Sequence, residues 1–189
     1  MWYKRIIIIS LIISIISCSE GFSEKEKQEY TAKGKEIAQA SFNELSSQLM
    51  TQMKAGGPAQ AVPFCKDQAA PILAKLSSKY DANIKRSSDL LRSCKIEPTE
   101  RELEIIYNYK KLVSENNELK PIVEIDETNK KHYYAPIIVK ANCLVCHGKV
   151  NETLSVKTDS IIKLIYPFDI ATGYSEGDVR GIWSITFNK

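Results

Sequence analysis

The sequence has no apolar segment long enough to cross a lipid bilayer. Its most apolar segment, residues 6–16, contains eleven residues, two of them serine, whereas a membrane-spanning helix needs about 20. Lys4 and Arg5 precede this segment, and a short apolar run behind positive charge is typical of a secretory signal peptide. Residues 1–18 are therefore predicted to be a signal peptide, and the rest of the chain is predicted to lie outside the cytoplasm.

The end of this segment resembles a bacterial lipobox, because Cys18 directly follows the small residue Ser17. Cleavage there makes Cys18 the first mature residue and a site of lipid modification, with residues 19–23 as a tether. Two or three acyl chains hold a protein firmly on a membrane. The prediction is a periplasm-facing lipoprotein on the inner or outer membrane, with an uncleaved N-terminal anchor as the alternative.

A large excess of one charge is also lacking. The chain has 26 basic and 23 acidic residues, and removal of Lys4 and Arg5 leaves 24 basic residues against 23 acidic ones. Basic and acidic side chains are mixed, so no basic stripe is present that could follow a phosphate backbone. This distribution predicts no nucleic-acid partner. Internal repeats are absent, and the length fits one domain, residues 24–189.

Histidine is scarce, with two residues in the chain beside five cysteines. If Cys18 carries lipid, four cysteines remain, and a domain of this size does not need disulfides to fold. Two of the four stand beside a histidine, because Cys143, Cys146 and His147 form the pentapeptide CLVCH. This grouping indicates a chemical role.

The pentapeptide has three interpretations. A structural zinc site needs four ligands, usually as two close pairs, but Cys65 and Cys94 are twenty-nine residues apart. A thioredoxin-like dithiol needs a βαβ unit, which the surrounding sequence does not show. Covalent haem attachment needs two thiols two residues apart and an adjacent histidine, and this chain supplies Cys143, Cys146 and His147. Because attachment takes place outside the cytoplasm, the predicted export also favours haem.

The spacing of apolar residues predicts helices in the first part of the chain and strands in the second. The expected helices cover residues 24–54, a segment from 58 or 59 to 79, and a segment that opens at residues 98–99 with a capping box. Pro63 and Pro71 predict a late start or a kink in the second helix. Residues 82–98 are expected to be irregular, and the expected strands are 121–125, 132–140, 161–166 and 179–187. This order predicts an α+β fold with an antiparallel sheet.

The residue opposite His147 on the iron is left open by the residues themselves. The candidates are a second histidine, two methionines and two cysteines, or no residue at all: His132, Met50, Met53, Cys65 and Cys94. Cys65 shares a helical face with Ala69 and Ile72 and is expected to point inward. His132 is expected to lie at the surface or a strand edge, and the methionines to fill space on the first helix.

Four stretches resemble one bacterial family: AQAVPFCKDQAAPI, KRSSDLLRSCKIEPTERELE, YAPIIVKANCLVCHG and LIYPFDIATGYSEGDVRGIWSI. The family consists of exported PAS-like domains that bind c-type haem and were long known only as a domain of unknown function. Its members occur alone or as N-terminal sensors of histidine kinases and cyclase-type signalling proteins. The resemblance covers residues 37–187, and the chain departs from it at residues 93–96, where the family has an asparagine-proline turn.

The resemblance implies a PAS-like antiparallel sheet with N-terminal helices packed on it and one haem on Cys143 and Cys146. His147 is then one axial ligand, and a cysteine of an earlier helix, here Cys65, is the other. Arg86 and Arg92 match haem propionates in chemistry, because guanidinium binds carboxylate in a fork. Surface salt bridges are the alternative, and favoured, role for both arginines.

A thiolate from Cys65 opposite His147 would favour ferric iron and lower the reduction potential. On reduction the thiolate could protonate and leave, so the sequence predicts a redox or small-gas sensor. An electron-transfer cytochrome of the periplasm is the alternative, and no distal histidine–arginine pair supports catalysis. The chain carries no kinase or cyclase domain, so sensing needs a separate signalling partner and electron transfer needs a redox partner. The sequence does not indicate an oligomeric state.

Overall fold

The computed structural model describes residues 22–93 and 97–188. The predicted signal peptide, the lipidation of Cys18 and any role of Cys94 lie outside the described residues. The helices are α1 Glu24–Gly56, α2 Pro58–Tyr80, α3 Glu100–Ser114, α4 Leu144–His147 and α5 Val156–Ile165. The strands are β1 Ala82–Ser87, β2 Ile122–Ile125, β3 Lys131–Ile138 and β4 Val179–Phe187. Within the described ranges, no helix has the length and apolar content that crossing a membrane requires.

The four strands form one antiparallel sheet in the order β1-β4-β3-β2. Along β4, Trp183, Ile185 and Phe187 face the core shared with α1 and α2, whereas Ile182 faces a second core formed with α3. The predicted α+β class, the antiparallel sheet and the packing of N-terminal helices on it are therefore confirmed. The finer PAS-like description stays a prediction.

Helix α1 is fixed at its start by a capping box and along its length by close packing on the sheet. Ser23 Oγ accepts from the Glu26 amide at 3.2 Å, and the Glu26 carboxylate accepts from the Ser23 amide at 3.1 Å. Gly34 lies so near β3 that an added Cβ would be 2.1 Å from Tyr133 Cγ. The absence of a side chain at Gly34 thus sets the distance between α1 and the sheet.

Helix α2 is continuous through Pro63 and Pro71, so the expected late start is wrong. Pro58 at its first position needs no backbone partner. The two internal prolines leave the carbonyl groups of Ala59 and Asp67 without an amide donor, and both residues are exposed. Because water can reach these carbonyls, the prolines do not end the helix.

Two other expectations about local structure are wrong. Residues 82–87, expected to be irregular, form β1, because pairing with β4 buries Ala82 and Ile84 although polar residues separate them. Residues 161–166, expected to be a strand, belong mostly to α5. Ser155 caps this helix by accepting from the Thr158 amide at 3.1 Å, and the buried Ile162 lies one turn after Thr158. Capping and helical burial outweigh the β-propensity of the isoleucines.

Candidate functional site

The CLVCH segment is a short helical corner that follows β3. A single 3-10 turn, Ala141–Cys143, continues directly into α4. Cys143 and Cys146 are three residues apart on this turn, and residues at that spacing lie on the same side of a helix. Both thiols are half-buried and free of disulfide bonds. The local fold thus presents two thiols on one side with His147 directly after them.

His147 is oriented by the chain segment that follows α5. Its Nδ1 lies 2.7 Å from the Ala171 carbonyl oxygen, so Nδ1 carries the proton and donates it to that oxygen. The Tyr174 amide donates to the His147 carbonyl at 3.0 Å, and the Gly173 amide donates to the Gly148 carbonyl at 2.9 Å. These bonds leave Nε2 as the ring nitrogen with a lone pair for a metal ion.

Arg92 connects the CLVCH corner to the chain segment that follows α5. Its Nη2 donates to the Cys146 carbonyl at 2.6 Å and to the Ala171 carbonyl at 3.2 Å. Its Nε pairs with Asp169 at 3.1 Å, and the exposed fractions of the two side chains are 15% and 2%. The favoured expectation of a salt bridge is confirmed for Arg92, but the bridge is not at the surface, because its carboxylate partner is buried.

The environment of His147 disfavours its charged form. Burial lowers the pKa of His147 well below its usual value, and the guanidinium groups of Arg92 and Arg180 lower it further. The hydrogen bond to Ala171 acts in the opposite direction. The imidazole is therefore neutral, which is the form that binds metals.

Cys65 reaches the same place from α2. Helices α2 and α5 pack through Val62, Leu154 and Ile162, and Cys146 packs against this cluster. Burial raises the pKa of Cys65, and the positive charges of Arg86 and Arg92 oppose this effect. The pKa of Cys146 is raised by burial and also by Cys65. The structure therefore brings Cys65 near Cys146, and its role as an iron ligand stays a prediction.

Arg86 lies on β1, close enough to Cys65 for their charges to interact. Ala82 and Ile84 face α2, and the period of two in a strand places Arg86 on the same face. More than a third of its surface is accessible, yet its surroundings are deep enough that desolvation lowers its pKa, with Cys65 acting in the opposite direction. No ion pair of Arg86 is found within the described part of the chain, and its role stays a prediction.

Of the other sequence-predicted ligands, His132 is engaged away from the site. His132 lies at the start of β3, and its Nε2 and Nδ1 are 2.9 Å from Asp126 Oδ2 and 3.1 Å from Thr186 Oγ1. CLVCH follows the opposite end of that strand. Met50 and Met53 are on α1, and Met50 is 42% exposed.

Three residues of the site were missed by the sequence analysis: Asp169, Tyr174 and Arg180. The Tyr174 ring meets the His147 ring edge-on, with centroids 6.3 Å apart, and the Arg180 guanidinium lies 5.4 Å from the centroid of the Tyr174 ring. All three fall in LIYPFDIATGYSEGDVRGIWSI, which the family resemblance had already marked. The glycines at 177 and 181 are a further signal, because glycine near a strand often indicates a bulge.

The structure thus defines an α+β domain in which a CxxCH corner, a thiol from α2 and several arginines converge. Residues 19–188 match the family model described as Tll0287-like, so the chain belongs to the Tll0287-like family. The family membership predicted from the sequence is confirmed.

A solved structure and a search of curated proteins complete the comparison. The crystal structure of the cyanobacterial heme-protein Tll0287 is similar to this chain with a TM-score of 0.57 and 22% sequence identity. The match covers 88% of this chain and 96% of that chain, which shows a common fold. No curated protein matches the sequence.

Proposed function

We propose that this protein is an exported c-type cytochrome with one haem, which Cys143 and Cys146 bind covalently and His147 binds through its iron. The observation that carries the proposal is the 2.7 Å contact from His147 Nδ1 to the Ala171 carbonyl, directly after two thiols on one helical turn. It supports a fixed imidazole whose Nε2 is available to a metal. The family, and the heme-protein with the same fold, support the same cofactor.

The residues around CLVCH fit this cofactor in polarity as well. Cys146 packs against an apolar cluster of Val62, Leu154 and Ile162. Two arginines of the site, Arg86 and Arg180, have a pKa lowered by desolvation. A haem bound there supplies a one-electron iron couple. No group of three or more His, Cys, Asp or Glu side chains in the described ranges is arranged to hold a bare metal ion. The zinc interpretation therefore has no support among those residues.

Cys65 is proposed as the second axial ligand. The support is its place on α2, where it is half-buried and its pKa responds to Arg86 and Arg92, two residues of the same site. As a thiolate, Cys65 neutralises ferric charge and donates electron density, which favours the oxidised state. Cys65 is thus the residue whose bond to iron depends most on the oxidation state.

The function supported best by this arrangement is a redox or small-gas sensor in a PAS-like domain. Release of Cys65 from the iron would remove the bond that ties α2 to the haem. Helix α2 packs on α1, β1 and α5. A change at Cys65 can therefore reach the N-terminal helices. The proposed partner is a separate signalling protein.

Electron transfer is the second candidate, and one observation favours it. Val145 lies between the two attachment cysteines and is 37% exposed, and Leu164 and Phe168 are 83% and 79% exposed. Exposed apolar side chains near a redox centre suit brief docking of a redox partner. In this case Cys65 and His147 would stay bound in both oxidation states.

Export and lipid anchoring through Cys18 remain part of the proposal. Their support is the sequence of residues 1–18 alone, and they place the domain on the periplasmic side of a membrane. Metabolic labelling with a fatty acid tests the anchor, with Cys18→Ala as the control. Absence of label on the wild-type chain would contradict lipidation.

Absorption and EPR spectra of the protein, matured with a cytochrome c assembly system, test the cofactor and its ligands. We expect covalent haem and a low-spin ferric thiolate spectrum, and loss of that spectrum in Cys65→Ala. A wild-type chain without covalent haem would contradict the central proposal. An unchanged ferric spectrum in Cys65→Ala would contradict the assignment of Cys65.

Carbon monoxide distinguishes the two functions. If Cys65 leaves on reduction, the reduced wild-type protein binds CO as readily as reduced Cys65→Ala. If Cys65 stays bound, CO binds the variant much faster than the wild-type protein, and the electron carrier is the better description.

A further inference from the structure

We propose that Arg180, Arg86 and the Tyr174 hydroxyl form the site for the two propionate groups of the haem. The inference rests on the proposed function and assigns residues to the carboxylate end of the cofactor. The sequence analysis matched Arg86 and Arg92 with the propionates. Here Arg180 takes the place of Arg92.

Arg92 has few hydrogen-bond donors left for a propionate. Its Nε and Nη2 bind Asp169, and Nη2 also binds the carbonyls of Cys146 and Ala171. A guanidinium has five N–H groups in a fixed fork. With one edge of that fork committed to Asp169, Arg92 positions the CLVCH corner instead of binding the cofactor.

Arg180 enters the site because β4 contains a bulge. Ile137 pairs with Gly181 and Ile138 pairs with Val179, so Arg180 is the extra residue without a partner in the register. A bulge of this kind turns a side chain away from the regular alternation of a strand. The bulge requires glycine at position 181 for two reasons. The φ angle of Gly181 is +154°, and the backbone passes so close to Ser87 that an added Cβ would lie 2.2 Å from its carbonyl oxygen.

The guanidinium of Arg180 retains donors after its contacts with the protein are counted. Its Nη1 donates to Ser88 Oγ and, at 3.1 Å, to the Leu90 carbonyl. Within the described part of the chain, no hydrogen bond is recorded for its Nε or Nη2. These two nitrogens form one edge of the guanidinium, the edge that can bind a carboxylate with two parallel bonds.

The Tyr174 hydroxyl is a buried group without a hydrogen-bond partner in the described ranges. The Tyr174 side chain is only 6% exposed, and its ring lies between His147 and Arg180. Buried hydroxyl groups almost always have a partner. A carboxylate bound by Arg180 supplies an acceptor beside the ring.

The local charge matches two propionates. Three guanidinium groups are close enough that Arg92 and Arg86 lower the pKa of Arg180, after burial as the main cause. Asp169 pairs with Arg92 and also acts on Arg180, in the direction that raises its pKa. Residues 94–96 are Cys, Lys and Ile and add no carboxylate. Three guanidinium groups thus lie close together, and one of them is paired with a carboxylate. This excess of positive side chains favours the two carboxylates of a haem.

Resonance Raman spectroscopy of the propionate bending band and redox titration of the holoprotein test this inference. Covalent haem is measured first in the wild-type protein, and its absence there would be a failure of the proposed function itself. The variants are Arg180→Met, Arg86→Met, Arg180→Lys and Tyr174→Phe. The matched control is Arg101→Met, because Arg101 pairs with Glu104 and Glu124 on the surface.

We expect both methionine variants to shift the propionate band and to favour ferric iron, because each removes a positive charge near the cofactor. The expected fall in the ferrous-to-ferric ratio at fixed potential is about tenfold, which corresponds to about 59 mV for one electron. Arg180→Lys keeps most of the ratio but still shifts the band, since an ammonium cannot form two parallel bonds. Tyr174→Phe shifts the band with little change in the ratio.

The inference would be overturned if the propionate band and the ferrous-to-ferric ratio changed no more in Arg180→Met and Arg86→Met than in Arg101→Met. If Arg180→Met fails to fold, Arg180→Lys and Tyr174→Phe decide the question, because both preserve the volume and most of the packing. A band unchanged in both of these variants is likewise a contradiction.

Discussion

The two histidines of the chain lie at opposite ends of β3 and in opposite chemical situations. At the start of the strand, His132 has both ring nitrogens hydrogen-bonded, to Asp126 and Thr186. Beyond its end, His147 has only Nδ1 engaged by a hydrogen-bonded carbonyl, that of Ala171. The first ring is fully used by the protein, whereas the second keeps one nitrogen for another partner.

The surroundings of the two rings repeat this difference. Asp126 accepts hydrogen bonds from the backbone amides of Thr128 and Lys130 as well as from His132. The polar groups at the start of the strand are thus satisfied by neighbouring residues. Near His147, the buried hydroxyl of Tyr174 has no hydrogen-bond partner within the described residues. A protein interior rarely leaves such groups unsatisfied. The difference separates an end whose polar groups are satisfied by the protein from the end at which we propose a cofactor.

The largest expected effect is at the thiols beside His147. Cys143→Ser together with Cys146→Ser removes both atoms that form thioether bonds, so we expect complete loss of covalent haem. Haem staining after denaturing electrophoresis measures it. Cys65→Ser is the matched control and should retain the stain, because its proposed bond is to iron and breaks on denaturation. Stain that persists in the double variant would contradict attachment at CLVCH.

The two histidines can be compared directly by substitution. His147→Ala is expected to abolish the low-spin ferric spectrum, because it removes the ring whose Nε2 is proposed to bind iron. His132→Asn is expected to keep that spectrum and to lower the thermal midpoint instead, because it disrupts contacts with Asp126 and Thr186. Absorption spectra and thermal unfolding of both variants check the pair. A spectrum altered equally by both substitutions would remove the distinction.

The sequence was most informative where one local rule decides the structure. The capping box at Thr99 depends on residues close together in the chain, and the structure contains it. By contrast, β1 and α5 depend on partners far away or on a cap that competes with β-propensity. Such elements cannot be assigned from their own residues with the same success.

The site shows the same division. Cys143, Cys146 and His147 are adjacent in sequence and were predicted as a unit, and Cys65 followed from the family resemblance. Arg180 was missed because its direction depends on a bulge between β3 and β4, which only the register reveals. For Arg92, the sequence did not reveal that Asp169, seventy-seven residues away, would be its partner.

Packing at the structural end can be tested at Gly34. A methyl group there meets the Tyr133 ring, so Gly34→Ala is expected to lower the free energy of unfolding by about 1–3 kcal/mol. Gly56→Ala, on the same helix, is the control, because an added Cβ there meets only the Gln60 side chain, most closely at its flexible end. Urea unfolding measures both. Equal stability of the two variants would show that α1 does not depend on close contact with Tyr133.

The smallest expected effect is at the carboxylate that pairs with His132. The hydrogen bond from His132, then those from Thr128 and Lys130, hold the pKa of Asp126 well below its ordinary value of 3.8. A lowered pKa in the folded state means that the charged form stabilises the fold above that ordinary value, and that this contribution is lost as the pH falls through the folded value. Asp126→Asn is therefore expected to be slightly less stable than the wild-type protein at pH 7, with a difference that narrows in acid.

Chemical unfolding at neutral and acid pH measures this difference, and Glu118→Gln provides the control. Glu118 and Lys120 form an ion pair in which both side chains are 75% exposed, and such pairs contribute little to stability. The control is expected to follow the wild-type protein at every pH. If Asp126→Asn followed it as well, the hydrogen bonds at the start of β3 would add no stability. The polar groups at the start of β3 would then be hydrogen-bonded, unlike those near His147, but their hydrogen bonds would not stabilise the fold.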